Sequence, residues 1–512
     1  MLALYLLARL LYSKGVALAT VFFLCWGSSN TLTIQLMAIG SLEVLLFATL
    51  LLGLSCWLAF SVDSSIGSQQ QPSEGTRRKR LVAYGCLGGV IGLGLWSNML
   101  VLPFVCTSLL LLLLFCRSEL RTRASLFGLL GFVIGAFPLL LFNIQYPLEN
   151  SLVTLWNLHS SGGASLAGQN LGLSLLLSRL EGTIVISIPM ATGTNSLCPI
   201  SAEPSQWVHQ LSLSCTGFQA CWGLGVIIVW TLALFTAVRD LQRQRQTFSI
   251  SGSAAEKEHL ARCTGRLMLL ASVGLTVLSY ATSPAPAVVP VTSSRYLAGL
   301  LVATPAIVAF LWPRFSLGQV ASTIPKGHMV SRVPLMVNIV KISFLGMRQI
   351  HLTVLYLCKV NTVKQNRPLL THALGLISLI LILGTSNPFH QISGAQRLYQ
   401  RQDTLIDGLL RLHAPHIYSD YWTCDRLIFL SNERIICSVL EADLGPGQNC
   451  YEPYAQIVKQ DPHSVYVFDT ENGTGISQDK AFTQRFGAQY LRLYLAEYAV
   501  YLPMSKGNQE SH

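Results

Sequence analysis

Long apolar runs, separated by short polar stretches, fill the first three quarters of the chain. A helix needs about 20 apolar residues to cross a hydrocarbon core about 30 Å thick, and fewer when its flanks reach the interface. Nine runs meet this requirement: 15–29, 41–60, 81–98, 99–116, 125–143, 217–238, 267–283, 296–313 and 369–386. Two further stretches are apolar but carry polar groups where lipid would meet them. Residues 171–190 hold Arg179 and Glu181 near their centre, and a charge at mid-span costs about 2.5–3.5 kcal/mol. In 333–358, Asn338, Lys341, Arg348, Gln349 and His351 fall on one arc at about 100° per residue. Both stretches predict helices lying on a membrane surface.

From Asn387 onward the pattern changes to short alternating elements. Residues 403–413 predict an amphipathic helix, and 452–460 and 478–486 two more. His416 to Asp420, Arg434 to Leu440 and Val465 to Asp469 predict strands, and the Tyr- and Leu-rich segment 489–502 a final strand or hairpin. Strands alternating with helices indicate a small α/β domain. The expected fold is therefore mainly α: a polytopic membrane helix bundle of about nine spans with surface helices in 1–387, and a C-terminal α/β domain in 388–512.

Composition and charge orient this bundle. Apolar residues make up 51% of the chain and charged ones 12%, against roughly 25% charged in a soluble domain. The net charge is +11, which would ordinarily raise nucleic acid as a partner. Its distribution argues otherwise. Residues 388–512 contain 10 Lys+Arg and 14 Asp+Glu, leaving 25 basic and 10 acidic residues in 1–387. With nine spans, 23 of those 25 fall on one side, at Arg9 and Lys14, Arg77-Arg78-Lys79-Arg80, Arg117 to Arg123, Arg239 to Arg266 and Arg314 to Arg367. This is the positive-inside pattern. It places 171–190 and the C-terminal domain on the outer side and 333–358 on the cytoplasmic side, and it excludes nucleic acid as the reason for the charge. Only Arg179 and Arg295 oppose the trend. No cleavable leader is predicted, because no charge precedes the first apolar stretch. The sequon Asn472-Gly-Thr474 would face outward, as would Cys198, Cys215, Cys424, Cys437 and Cys450, whose pairing cannot be read from spacing.

Chemistry is sparse. There is no HExxH, no phosphate-binding GxxxxGK loop and no GxSxG elbow, and no charged residue lies mid-span, where ion-coupled transporters place carboxylates. Gly85, Gly88 and Gly92 recur as Gly128, Gly131 and Gly135, each set opening a helix after a basic loop. Such spacings let helices pack closely. Arg295 stands at the mouth of a helix after the Pro-rich loop 284–290, where a guanidinium could take a phosphate in bidentate fashion or reach toward headgroups or an outer carboxylate.

An ordered set of motifs is similar to a family of bacterial membrane glycosyltransferases of the GT-C class, related to the aminoarabinose transferase of lipid A and to protein O-mannosyltransferases. Gly92-Leu-Gly-Leu-Trp96-Ser-Asn98-Met-Leu-Val-Leu-Pro103 resembles "GLxLWxxPLxLP". Gly131 to Pro138 followed by Asn143-Ile-Gln-Tyr-Pro147 resembles "GFxxGxxPLxxYNxxxP". Arg295-Tyr296-Leu297 resembles "RYLxPLxP", and Asp420-Tyr421-Trp422 with Leu427-Ile-Phe429 an outer-domain "DYWxxYxLxF". The resemblance implies transfer of a sugar from a polyprenyl-phosphate donor to a lipid or glycan acceptor on the outer face, with a divalent metal or basic residues holding the donor phosphate. It makes Glu43, Trp96, Asn98, Arg295 and Tyr296 candidate substrate-binding residues. The family's first helix and the catalytic Asp of its first outer loop have no counterpart here, and Gly40 and Glu43 alone match its "GGYxE". The chain is thus expected to be glycosyltransferase-like, truncated at its N-terminus and without an identified catalytic residue. The alternatives are a non-catalytic membrane-anchored recognition or assembly protein and, with less support, a transporter. The expected location is a bacterial plasma membrane.

Overall fold

A computed structural model describes residues 1–26, 41–61, 74–145, 173–193, 213–247, 254–311, 375–383, 392–447, 449, 451–471 and 473–504. The chain divides into two compact units, Met1–Pro388 and Phe389–His512. The described part of the first unit is helical: α1 (Leu2–Leu11), α2 (Lys14–Cys25), α3 (Ser41–Phe60), α4 (Glu74–Ser97), α5 (Leu102–Phe115), α6 (Arg123–Gly135), α7 (Phe137–Gln145), α8 (Leu173–Glu181), α9 (Ile188–Thr192), α10 (Leu213–Thr247) and α11 (Ala254–Thr282). A tighter 3₁₀ segment, Ser294–Ala303, then runs directly into α12 (Thr304–Leu311).

Among the described residues six stretches are long and apolar enough to cross a membrane: Leu42–Phe60, Gly75–Ser97, Leu175–Thr192, Ser214–Gln246, Ala255–Thr282 and Pro290–Leu311. A seventh arises if α6 and α7, bent by 60°, form one broken span. Five of the nine expected runs coincide with these helices, and 125–143 with the bent pair. The runs 15–29 and 99–116 fall on the shorter apolar helices Lys14–Cys25 and Met99–Phe115. The run 369–386 is described only over 375–383, and the surface helix expected at 333–358 lies outside the described residues.

The other expected surface helix is packed into the bundle. Residues 175–192 form a membrane-length helix with half of its apolar window buried. It winds through a π-helical stretch, Gly182–Ser187, whose Gly182, Thr183, Ile186 and Ser187 are buried, and packs against α10 and the Ser294–Ala303 segment. The Arg179 guanidinium donates to the Thr282 carbonyl at 3.0 Å.

The tightest contact in the bundle is between α4 and α6, which run parallel. A Cβ on Gly88 would fall on the Gly128 carbonyl, and one on Gly131 on the Gly85 carbonyl. At Gly92 it would lie 2.5 Å from the Phe132 oxygen and the Ala136 nitrogen. The small-residue spacing read in the sequence therefore brings backbone against backbone, where dispersion replaces the hydrophobic drive that lipid cannot supply.

One end of the bundle is clamped electrostatically. Arg80, buried in the first turns of α4, donates to the Leu58 carbonyl at 3.2 Å, to the Ser61 hydroxyl and to Glu119 at 2.6 Å. Tyr84 donates to the same carboxylate at 2.9 Å. Farther round, Arg266 donates to the Leu11 carbonyl at 2.8 Å and lies over the Tyr12 ring. These contacts tie α1, α3, α4, α11 and the turn after α5 together at the end where the basic loops gather.

The second unit carries a five-stranded sheet of order β2-β1-β3-β5-β4: β1 (His416–Ser419), β2 (Ile436–Val439), β3 (Val465–Asp469), β4 (Tyr490–Leu495) and β5 (Tyr498–Pro503). β1 pairs in parallel with β2 and β3, and β5 is antiparallel to β3 and β4. Around the sheet lie α13 (Ile392–Arg411), α14 (Tyr421–Leu430), α15 (Glu452–Gln460) and α16 (Gly473–Phe486). The expected strands and helices are present, and 489–502 forms a hairpin. Its turn places Ala496 and Glu497 at φ 46° and 66°, left-handed values that L side chains resist. Arg401 of α13 holds that turn, donating to the Ala496 carbonyl at 2.8 Å and the Glu497 carbonyl at 2.9 Å.

Cys424 of α14 and Cys437 of β2 form a disulfide with their Cα atoms 5.2 Å apart. Cys215 is also disulfide-bonded. Closing a loop of 13 residues stabilises by about 3 kcal/mol through the unfolded chain. Cys437→Ser should therefore lower the stability of the second unit by about 2–4 kcal/mol, read from hydrogen exchange of the β1–β3 amides in the whole protein. Unchanged protection would show that the bond adds nothing.

Candidate functional site

At the end opposite the Arg80 clamp, three element ends come together. α3 begins there with Glu43 in its first turn. α4 ends there with Trp96 and Ser97, and Asn98 starts a short turn, Met99–Val101, that leads into α5. The Ser294–Ala303 segment begins there with Arg295 and Tyr296. Packing sets the arrangement: α3 contacts the Ser294–Ala303 segment, and the 99–101 turn contacts both. Phe47, one turn after Glu43, and Val101 close on Gly94, while Phe104 closes on Gly299. Pro103 and Asn98 make this turn, the first because it suits a helix start, the second because its Oδ1 accepts from the Leu100 amide at 3.0 Å.

The five residues predicted from the sequence thus lie on adjoining elements at one end of the bundle, with different surroundings. Trp96 is half exposed, the position of an interfacial anchor or a stacking surface. Asn98 is a cap. Glu43 and Arg295 stand out: Glu43 Oε2 and Arg295 Nε are shielded from solvent and have no hydrogen-bonding partner. The guanidinium of Arg295 sits 5.5 Å from the Tyr296 ring centre, a cation–π contact. A shielded donor without an acceptor is costly, and at an arginine it favours an incoming anion.

Arg295 is positioned by a network that sequence reading missed. The Tyr280 hydroxyl meets Ser187 Oγ at 2.8 Å and Ser293 Oγ at 2.6 Å, and Ser187 donates to the Pro290 carbonyl at 2.9 Å. All three side chains are buried. They fasten the π-helical stretch to the loop just before Arg295. Ser293 stood in view beside Arg295, but its partners are 13 residues away and in another helix, and no local pattern marks them.

A second feature lies along the same stretch. An apolar cavity of about 570 Å³ is lined by Leu300, Leu301 and Thr304, with Trp26, Trp222 and Trp230 among its walls. Leu300 follows Arg295 by five residues, about 10 Å in a 3₁₀ helix. The cavity draws on helices from 23 to 381, so the sequence pattern shows only their apolarity.

Asp420, in the outer-domain motif, caps α14 by accepting from the Trp422 and Thr423 amides at 3.1 and 3.2 Å and from the Thr423 hydroxyl at 2.6 Å. That motif is a helix start with a half-exposed Trp422. Among the described residues no three His, Cys, Asp or Glu side chains gather to hold a metal ion. Compared with protein-family models, curated proteins and solved structures, the chain matches none. The functional reading therefore rests on the motifs and on this geometry.

Proposed function

We propose that the membrane unit binds a lipid-linked phosphate, with Arg295 at the phosphate and the neighbouring apolar cavity around the lipid chain, and that the protein is a glycosyltransferase-like membrane protein using a polyprenyl-phosphate sugar donor on the outer face of a bacterial plasma membrane. The observation that carries the reading is the shielded, unpartnered Arg295 Nε one short helical stretch from a 570 Å³ apolar cavity. An anionic head and an apolar tail match that pair of surroundings, and the interfacial Trp96 and Tyr296 suit a sugar between head and acceptor. Glu43 offers a carboxylate near this end for contact with the sugar hydroxyls of donor or acceptor. The disulfide between Cys424 and Cys437 supports an outer, oxidising location for the second unit. The positive-inside count, taken with residues 171–190 as a surface helix, supports the same side.

The test uses the whole chain in lipid nanodiscs and farnesyl phosphate as probe, with farnesol as its uncharged counterpart. A charge-assisted contact of about 1.5–3 kcal/mol corresponds to roughly 10- to 100-fold in affinity. Farnesyl phosphate should bind at least about tenfold more tightly than farnesol, and Arg295→Ala should remove that difference. Equal binding of the two probes, or an unchanged preference in Arg295→Ala, would refute the phosphate site. Sugar transfer by the purified chain would exclude a non-catalytic role.

A further inference from the structure

The second unit has a cavity of its own, about 440 Å³, beside the edge strand β2. One wall is the face of α14 that carries Asp425 and Phe429, another is the turn Asn432–Glu433, and the third is formed by Tyr451 and Tyr454 at the start of α15. The Cys424–Cys437 disulfide staples α14 to β2 at its base.

Three observations define what would fit. Phe429 is 80% exposed on a helix that buries Cys424 and Leu427, and Tyr451 is 56% exposed. Two large rings are therefore left in water at the rim, and Tyr451 stands edge-on to Tyr454 with ring centres 4.8 Å apart. Two carboxylates, Asp425 and Glu433, share the lining, which includes no Lys, Arg or His. Finally, Asn432 and Glu433 both adopt left-handed backbone, φ 52° and 61°, a conformation costly for non-glycine residues. Burial raises the Asp425 carboxyl above its ordinary range, and desolvation followed by the neighbouring Glu433 raises the Tyr454 phenol. A hydrogen bond from Tyr421 opposes the first shift, and the second includes a hydrogen bond with Glu433.

An anion would meet two carboxylates and is excluded by charge. A cation with a carbon body would find carboxylates for its charge and ring faces for its methyl or methylene groups, the combination that recognises alkylammonium ions. We propose that this cavity, walled by Asp425, Glu433, Phe429, Tyr451 and Tyr454, binds an organic ammonium cation. The site is independent of the phosphate site in the membrane unit.

The experiment titrates choline into the whole protein, in nanodiscs of phosphatidylglycerol that contribute no amine, and follows binding by calorimetry or ligand-observed NMR. The uncharged isostere 3,3-dimethylbutan-1-ol and glucose serve as comparisons. Choline should bind, with the isostere at least about tenfold weaker, and Glu433→Gln and Phe429→Ala should each weaken choline by about fivefold or more. An unchanged melting temperature and an intact disulfide would show that the variants fold. Phosphocholine separates two sources of the cation, a lipid headgroup if it binds as tightly as choline and a free amine if it binds more weakly. No choline binding, equal binding of the isostere, binding of glucose alone, or affinity unmoved in both folded variants would overturn the proposal.

Discussion

Valine at Gly131 should abolish the folded membrane unit. A Cβ there falls on the Gly85 carbonyl and 3.0 Å from the Gly89 nitrogen. These are backbone atoms of a packed helix, so no rotamer change can make room and α4 must move away from α6. Ordinary overpacking costs about 1–3 kcal/mol. Parting two helices along a shared glycine seam belongs with the exceptional changes above about 4 kcal/mol. Leucine at Gly88, facing the Gly128 carbonyl, should act the same way. The measurement is the fraction of detergent-solubilised protein that elutes as a monodisperse species, together with its thermal midpoint. Gly89→Ala is the control, because a Cβ there has its nearest neighbour at 3.7 Å. If Gly131→Val survives as well as Gly89→Ala, the close approach of the helices is wrong.

The second large effect is expected at Arg401. Its guanidinium is nearly buried and bonds Asp469 at 2.6 Å and Glu471 at 2.9 Å, while its carbon lies 4.3 Å from the Tyr498 ring centre. It also holds the two carbonyls of the strained β4–β5 turn. Arg401→Met removes the cation paired with the buried Asp469 and frees the turn, a loss of about 3–5 kcal/mol. Hydrogen exchange across β3, β4 and β5 in the whole protein would read it. Arg397→Ala removes an exposed pair with Glu497, and surface pairs contribute about 0–1 kcal/mol. Comparable losses in the two variants would contradict the central role given to Arg401.

These two sites differ in how far the sequence announced them. The glycine seam was visible as a spacing, because small residues every third or fourth position define one helix face whatever the rest of the fold does. Arg401 was only one basic residue on an amphipathic helix. Its partners at 469, 471 and 496–498 are brought to it by the sheet, and loop closure over such distances leaves no local trace. The same contrast holds for the candidate site. Arg295 was conspicuous because it broke the charge trend, whereas Tyr280 and Ser187, which fasten the loop before it, looked like ordinary polar residues in apolar helices.

The helix from 175 to 192 shows the limit from the other side. Its apolar length was legible, and so were Arg179 and Glu181, but their cost was reckoned against lipid. In the folded unit the Thr282 carbonyl takes the Arg179 guanidinium and neighbouring helices cover half of the apolar window. What surrounds a charge is decided by packing.

The sequence by itself determined that this is a membrane protein with a mainly helical first part and a small α/β second part, because apolar run length and strand–helix periodicity are local properties of the chain. It also pointed to the glycine seam and to Arg295. Only the tertiary structure decided which apolar runs reach membrane length, that residues 175–192 join the bundle, that Cys424 pairs with Cys437, and that the helical stretch opened by Arg295 runs on to line an apolar cavity. Those depend on which side chains meet across many turns of helix and strand, and solvent exclusion at such meetings, unlike periodicity, is a property of the assembled fold.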